Sequence, residues 1–302
     1  MLSITSVYRI RQIGLGLLVS LQLMLMPGCS SEAPVSAPGG QVLKAAVTIV
    51  PQATFVKAVG GDLVDVVTVV PPGGNPENYS PSPQQMLQIT DARLFFAIGV
   101  PSEAATILPK IKDLNPDMKI VDLPQLVDQV YPPCLFPSGE RDPHMWLSPR
   151  RVKEIVRITA DELSNLDPAH RDIYARNAAA YAAQLDQLDQ EITNSLANMD
   201  DRTFIVYHPA FGYFAADYSL EMIALESEGK EATAVDLQKV IDLARQKQIK
   251  VVFYQAEIDS KQSRTLAEEI GGQAEMIAPL DPDYINNLRK TAQTFARVLN
   301  TQ

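Results

Sequence analysis

Histidine, cysteine and tryptophan are all scarce in this chain of 302 residues, which holds three His, two Cys and one Trp. Cys29 lies in the N-terminal region, so Cys134 has no second cysteine in the body of the chain to pair with, and the fold must rest on its core. Basic residues are outnumbered, 26 Lys and Arg against 36 Asp and Glu. That balance argues against nucleic acid and anionic lipid headgroups as ligands. No His-Glu-x-x-His pair and no obvious second carboxylate motif occurs, so the usual signature of a zinc hydrolase is missing. The longest N-terminal apolar run, Ile13 to Met26, is too short for a stable membrane span.

What the N-terminus does hold reads as a targeting segment. Arg9 and Arg11 precede the apolar run, which ends at Met26-Pro27-Gly28-Cys29. A basic start, an apolar middle and a small-residue site read as a secretory signal over residues 1–28. The Gly-Cys junction resembles a bacterial lipoprotein box, which makes Cys29 the lipidated first residue of the mature chain. Residues 29–42, rich in Ser, Pro, Ala and Gly, read as a flexible tether to a membrane. The expected location is outside the cytoplasm, anchored by lipid and facing the periplasm or the exterior. Removal of residues 1–28 removes two Arg and no acid, so the formal net charge moves from −10 to −12. An acidic exported body is compatible with a cation as cargo.

Four short apolar runs mark the first half: Lys44–Val50, Asp65–Val70, Leu94–Ile98 and Lys119–Val121. They are rich in Val, Ile and Phe without clear alternation, as buried parallel strands are. A helical stretch from Pro101 to Lys112 separates the last two. The second half repeats the scheme with Thr203–Tyr207, Leu220–Leu225, Lys250–Tyr254 and Ala274–Ile277, and with helical stretches Val235–Lys247 and Lys261–Ile270. Thr233 with Asp236 reads as a capping box before the first of these. Strand–helix alternation twice over predicts an α/β protein with two lobes, each built on a mainly parallel four-stranded sheet. The expected lobes are residues 43–166 and 201–302.

A helical region joins them. Ser148-Pro149 is a good N-cap and first-turn pair, and Asp167-Pro168 repeats the signal. Beyond it Tyr174, Asn177, Tyr181, Leu185, Leu188, Ile192 and Leu196 form one largely apolar stripe. They predict one long linking helix from Pro168 to about Met199, within residues 167–200, of roughly 45 Å.

Three segments carry candidate chemistry: Pro76-Glu77-Asn78-Tyr79, Asp142-Pro143-His144-Met145-Trp146 and Tyr207-His208-Pro209. Each follows an expected strand of one lobe, and ligands of open α/β sheets bind beyond the carboxyl ends of strands. Two imidazoles and a carboxylate suit Zn²⁺, Mn²⁺ or Fe²⁺, with geometry and supply choosing among them. Neighbouring prolines stiffen all three loops. His170, in a helix first turn, reads as solvent-facing, Cys134 as a half-buried structural thiol and Trp146 as packing.

At these residues the chain resembles the metal-binding subunits of bacterial ABC importers for zinc and manganese. The matching segments run from Val70 to Pro83, from Asp142 to Pro149 and from Tyr207 to Phe214, with Leu166-Asp167-Pro168, Tyr174, Asn177 and Glu228-Gly229-Lys230-Glu231 in addition. The resemblance implies two Rossmann-like lobes joined by one long helix, with one divalent ion held between them. It implies ligand positions at His144 and His208, and at Glu77 where relatives usually have His. The fourth ligand is often Asp in an Asp-Pro-Leu segment. This chain has Ala278-Pro279-Leu280, which leaves Asp281 or Asp283 of the same loop, or a water, to complete the shell. Many zinc-importing relatives carry a His-rich loop before the second ligand, whereas Tyr131 to Arg141 has no His. The implied function is capture of a divalent ion, zinc first and manganese or iron second, for delivery to an ABC permease and its ATPase. A monomer is expected, without catalysis. A surface adhesin with a vestigial site and a zinc hydrolase are the alternatives from other classes.

Overall fold

The computed structural model describes residues 42–199, 201–226, 231–258 and 261–300. The expected signal segment, Cys29 and nearly all of the tether lie outside the described residues, as do Glu228, Gly229 and Lys230 of the last matching segment.

The first sheet holds β1 (Leu43–Val47), β2 (Val64–Thr68), β3 (Leu94–Ala97) and β4 (Lys119–Asp122), in the order β2-β1-β3-β4. All its neighbours are parallel. Its crossovers carry α1 (Val50–Gly60), α2 (Pro83–Leu87) and α3 (Leu108–Leu114), and α4 (Leu123–Val127) follows β4. Every residue of β3 is buried, which is why its sequence LFFA shows no alternation.

The helix expected from Pro101 contains a wide turn over Glu103–Ile107, with the Leu108 N–H reaching back to the Glu103 carbonyl. Pro109 lacks an N–H and cannot extend the ordinary helical ladder there, so a turn with longer hydrogen bonds takes its place.

The second sheet repeats the plan with β5 (Thr203–Val206), β6 (Glu221–Ala224), β7 (Val251–Gln255) and β8 (Gln273–Ile277), in the order β6-β5-β7-β8 and again all parallel. The order reverses between β1 and β3 in one sheet and between β5 and β7 in the other. These are the switch points at which open α/β sheets bind ligands.

Between the sheets run α5 (Pro149–Leu166) and α6 (Arg171–Ser195). Ser148 caps α5 by accepting from the Arg151 N–H, with Pro149 in the first turn. The expected single helix from Pro168 to Met199 is shorter than its stripe. Pro168–His170 forms a 3₁₀ turn, and regular α-helix ends at Ser195, whose hydroxyl turns back onto the Glu191 carbonyl. The 25 residues of α6 span about 38 Å. Tyr174, Leu185, Leu188 and Ile192 are buried, and the Tyr174 hydroxyl donates to Asp167 at 2.7 Å.

In the second lobe α7 (Gly212–Asp217), α8 (Ala234–Gln246), α9 (Lys261–Glu269) and α10 (Tyr284–Leu299) cover the sheet. Thr233 caps α8, accepting from the Asp236 N–H. The long helix α6 packs on α1, α5 and α10. One hydrophobic core therefore runs through both lobes, from Phe55 and Trp146 through Tyr174 and Leu188 to Phe204, Phe253 and Phe295. No described helix is long and apolar enough to cross a membrane.

Candidate metal centre

The three expected ligand loops meet between the lobes. The Asn75 side chain accepts from the Glu77 N–H at 2.9 Å, a turn that fixes the loop after β2. His144 follows Asp142-Pro143, and Asp142 Oδ1 accepts from the His144 N–H at 2.8 Å. His208 lies two residues beyond β5. The Glu226 N–H donates to the Tyr207 carbonyl, so the β5–β6 ladder continues past the strand ends and brings Glu226 beside His208.

His144 Nε2 and His208 Nε2 stand 3.1 Å apart. Glu77 Oε1 lies 3.6 Å from the first and 3.8 Å from the second. A point equidistant from the three atoms is about 2.0 Å from each, the length of a Zn–N or Zn–O bond. Both rings are buried, and Glu77 Oε1 is buried with no hydrogen-bond partner. The pocket around them measures about 10 Å³, room for one ion or water and not for an organic substrate. It opens towards a cleft of about 680 Å³ that Glu140, Glu226, Glu231 and Glu257 also line, with Arg141 the one cation among the lining residues.

The far nitrogens decide the tautomers. Asp142 Oδ1 lies 2.7 Å from His144 Nδ1, and Glu226 Oε2 lies 3.0 Å from His208 Nδ1. In the neutral rings each carboxylate holds the proton on Nδ1 and leaves the Nε2 lone pair facing the shared point. Burial opposes a charged His144 ring, but Asp142, with Glu77 and Glu226 behind it, outweighs that cost and raises its pKa above the usual histidine range. The pocket thus favours positive charge.

The other expected residues fall elsewhere. Asp281 accepts from the Asp283 N–H at 2.8 Å, and the Asp283 carboxylate takes up Asn286 Nδ2 at the start of α10. Neither lines the pocket of the trio, and among the described residues the cluster of mutually close donor atoms is Glu77, His144 and His208. Pro279 and Leu280 wall that pocket, and the Trp146 indole N–H donates to the Pro279 carbonyl at 2.9 Å. Trp146 is thus packing and also a hydrogen bond between the lobes. Cys134 is half-buried against the core, and burial pushes its thiol pKa up. His170 is partly exposed, and its ring pairs with Asp167 at 2.6 Å.

Three residues of the site escape a reading by strand ends and histidines alone. Asp142 and Glu226 orient the rings, and Glu257 lines the pocket with Oε2 buried and without a partner. Burial raises the Glu257 pKa. Glu257 stands two residues after β7, the same kind of position as His208 after β5, and that placement was its available signal.

Two parallel lobes joined by a long helix, with buried nitrogen and oxygen donors converging between them, define a bilobal metal-binding protein of the solute-binding class. The chain belongs to the family of the zinc-uptake complex component A, periplasmic, ZnuA, whose profile matches residues 46–298. A crystal structure of ZnuA superposes with a TM-score of 0.81 at 38% identity, covering 85% of this chain and 99% of that one. The high-affinity zinc uptake system protein ZnuA of Bacillus subtilis is 29% identical over 255 residues, 80% of each chain. The zinc-binding lipoprotein AdcA of Streptococcus pneumoniae is 28% identical over 283 residues. That match takes in 88% of this chain and 54% of AdcA, so the chain spans about half the length of that relative.

Proposed function

We propose that the protein captures a divalent transition-metal ion, zinc by preference, outside the cytoplasmic membrane and delivers it to the permease and ATPase of an ABC importer. One observation carries this reading. Two buried imidazole nitrogens, with their protons held on the far side, aim lone pairs at each other across 3.1 Å, beside an orphaned carboxylate oxygen. Without a proton or a cation between them these three atoms repel. An ion about 2.0 Å from each turns the repulsion into ligation. Glu77, His144 and His208 are its ligands.

Imidazole and carboxylate together favour Zn²⁺ over Mn²⁺ or Fe²⁺ by the usual affinity order. The zinc-uptake family and the zinc-binding relatives support the same choice. In this reading residues 1–28 export the chain, Cys29 anchors it, residues 29–42 tether it, and the lobes 43–166 and 201–302 act as a monomer about the linking helix 167–200. Because one core runs through both lobes, release comes from local movement of ligand loops rather than from wide opening.

The test is zinc-limited growth and radioactive zinc uptake in the native host lacking the gene. The wild-type gene restores both, and His208→Ala, exported in equal amount, restores neither. Full restoration by His208→Ala would show that delivery does not pass through this site.

A further inference from the structure

Three ligands leave a zinc ion one donor short, and Ala278-Pro279-Leu280, which follows β8 and walls the pocket, offers no carboxylate. The neighbouring strand offers another carboxylate. Glu257 lines the pocket of the trio, and its Oε2 is buried with no hydrogen-bond partner. Gln255, lining the same pocket, is 6% exposed, and its side-chain nitrogen also lacks a partner. Two uncompensated polar side chains at the carboxyl end of β7 thus face the space into which both imidazoles point.

Strand register explains why they are there. Val206 of β5 lies opposite Phe253 of β7, and the Tyr207 N–H donates to the Phe253 carbonyl. Continued by two residues, that register sets His208 beside Gln255, and Glu257 follows in the turn that ends β7. β5 and β7 are the two strands between which the order of the second sheet reverses. Glu257 and His208 therefore flank one switch point.

Charge points the same way. Glu77 and two neutral imidazoles leave a divalent ion with one uncompensated positive charge, which is costly between buried rings. A second carboxylate cancels it. Asp142 and Glu226 are engaged with the imidazole Nδ1 atoms, and Asp281 and Asp283 with the chain around α10. Glu257 accepts from its own backbone N–H and keeps Oε2 without a partner at the pocket.

We propose that Glu257 is the fourth ligand of the bound ion, taking from the β7 end the role that Ala278 cannot fill from the β8 end. The proposal rests on the reading of Glu77, His144 and His208 as an ion site. Glu257 also lines the wider cleft and stands outside the tight cluster of the other three donors. It meets the ion by side-chain rotation, and binding draws it inward from the cleft. Gln255, beside it, steadies the bound carboxylate through its amide.

Zinc-loaded wild-type protein, located by anomalous diffraction, is the first test. A Glu257 oxygen at about 2.0–2.2 Å from the ion is expected. An ion bound by the trio with Glu257 more than about 3.5 Å away, beyond any coordination distance, overturns the proposal. In solution, chelator competition compares wild type with Glu257→Gln and with Glu140→Gln, a cleft acid outside the pocket. Glu257→Gln is expected to weaken zinc at least about tenfold, the scale on which partners of metal sites act, while Glu140→Gln stays within about twofold. A Glu257→Gln affinity within about twofold of wild type, with His208→Ala abolishing binding, leaves the trio standing and the fourth ligand wrong. Zinc that binds equally well without His208 removes both.

Discussion

His144 Nε2 and His208 Nε2 face each other across 3.1 Å, one ring carried by the loop before α5 and the other by the end of β5. Each ring is turned by a carboxylate on its far nitrogen, Asp142 for the first and Glu226 for the second. The facing of two lone pairs is a built feature: four side chains from three segments have to agree on it. That agreement makes the orienting acids as testable as the proposed ligands.

Glu226→Gln keeps the size of the side chain and removes its charge. The amide holds the His208 ring less firmly and lowers its basicity. Zinc affinity is expected to fall about 10- to 100-fold with little change in thermal stability, as measured by chelator competition beside a melting curve.

Gly212→Ala tests the same arrangement from the other side. A Cβ at Gly212 runs into Asp142 Oδ2, and Asp142 is buried with its backbone carbonyl bonded to the Tyr213 hydroxyl at 3.0 Å. The methyl group therefore moves Asp142 and, through it, His144. Both the melting temperature and the zinc affinity are expected to fall. An unchanged affinity would mean that Asp142 does not set the ring.

Arg151 ties the lobes together on the far side of this loop. Its guanidinium pairs with Asp217 of α7 at 2.9 Å, stacks over Tyr213 with 4.5 Å to the ring centre and donates to the Pro132 carbonyl. Arg151→Met leaves Asp217, its side chain 10% exposed, with the Ser148 hydroxyl as hydrogen-bond partner and Arg150 as the remaining nearby charge. A loss of about 3–5 kcal/mol is expected in denaturant unfolding, and Arg151→Met with Asp217→Leu is expected to recover part of it, because an unpaired buried charge costs more than the pair contributes.

Glu103 gives stability a pH dependence. Burial pushes its pKa up to about 7, although the Ile98 N–H, the Thr48 hydroxyl and the Gly99 N–H pull it down. The folded chain therefore holds this proton more tightly than the unfolded chain, whose carboxyl titrates near 4.5. The stabilisation is fully present below about pH 4.5 and is lost as the pH rises to about 7, a change of about 3 kcal/mol. Glu103→Gln cannot ionise. Its stability deficit relative to wild type is expected to shrink by that amount between pH 4.5 and pH 7 in paired unfolding curves.

Much of this architecture was legible in the residues. Eight apolar runs became eight strands because both sheets bury their central strands on both faces, and Ser148-Pro149 and Thr233 marked helix starts by local hydrogen bonds alone. The meeting of Glu77, His144 and His208 was legible because histidine is so scarce. Asp142 lay inside a matching segment, but its role depends on a turn that folds its carboxylate back onto both the backbone and the ring of His144. Glu226 and Glu257 were hidden for a different reason. Their nearness to His208 is set by strand order, with β6 and β7 on either side of β5, and order in a sheet is not written in any one segment. Asp281 and Asp283 looked suitable by position in the chain, yet the turn into α10 uses their carboxylates for its own backbone and Asn286.

The most direct measurement of the central claim is zinc bound per chain, with its dissociation constant, for the wild-type protein beside Glu77→Ala, His144→Ala and His208→Ala, using metal-stripped protein and a chelator of known affinity. One zinc per wild-type chain below micromolar, and a loss of at least about a hundredfold in each folded variant, is the predicted result. Wild-type protein that takes up no zinc, or variants that bind it as tightly as wild type, would contradict the account.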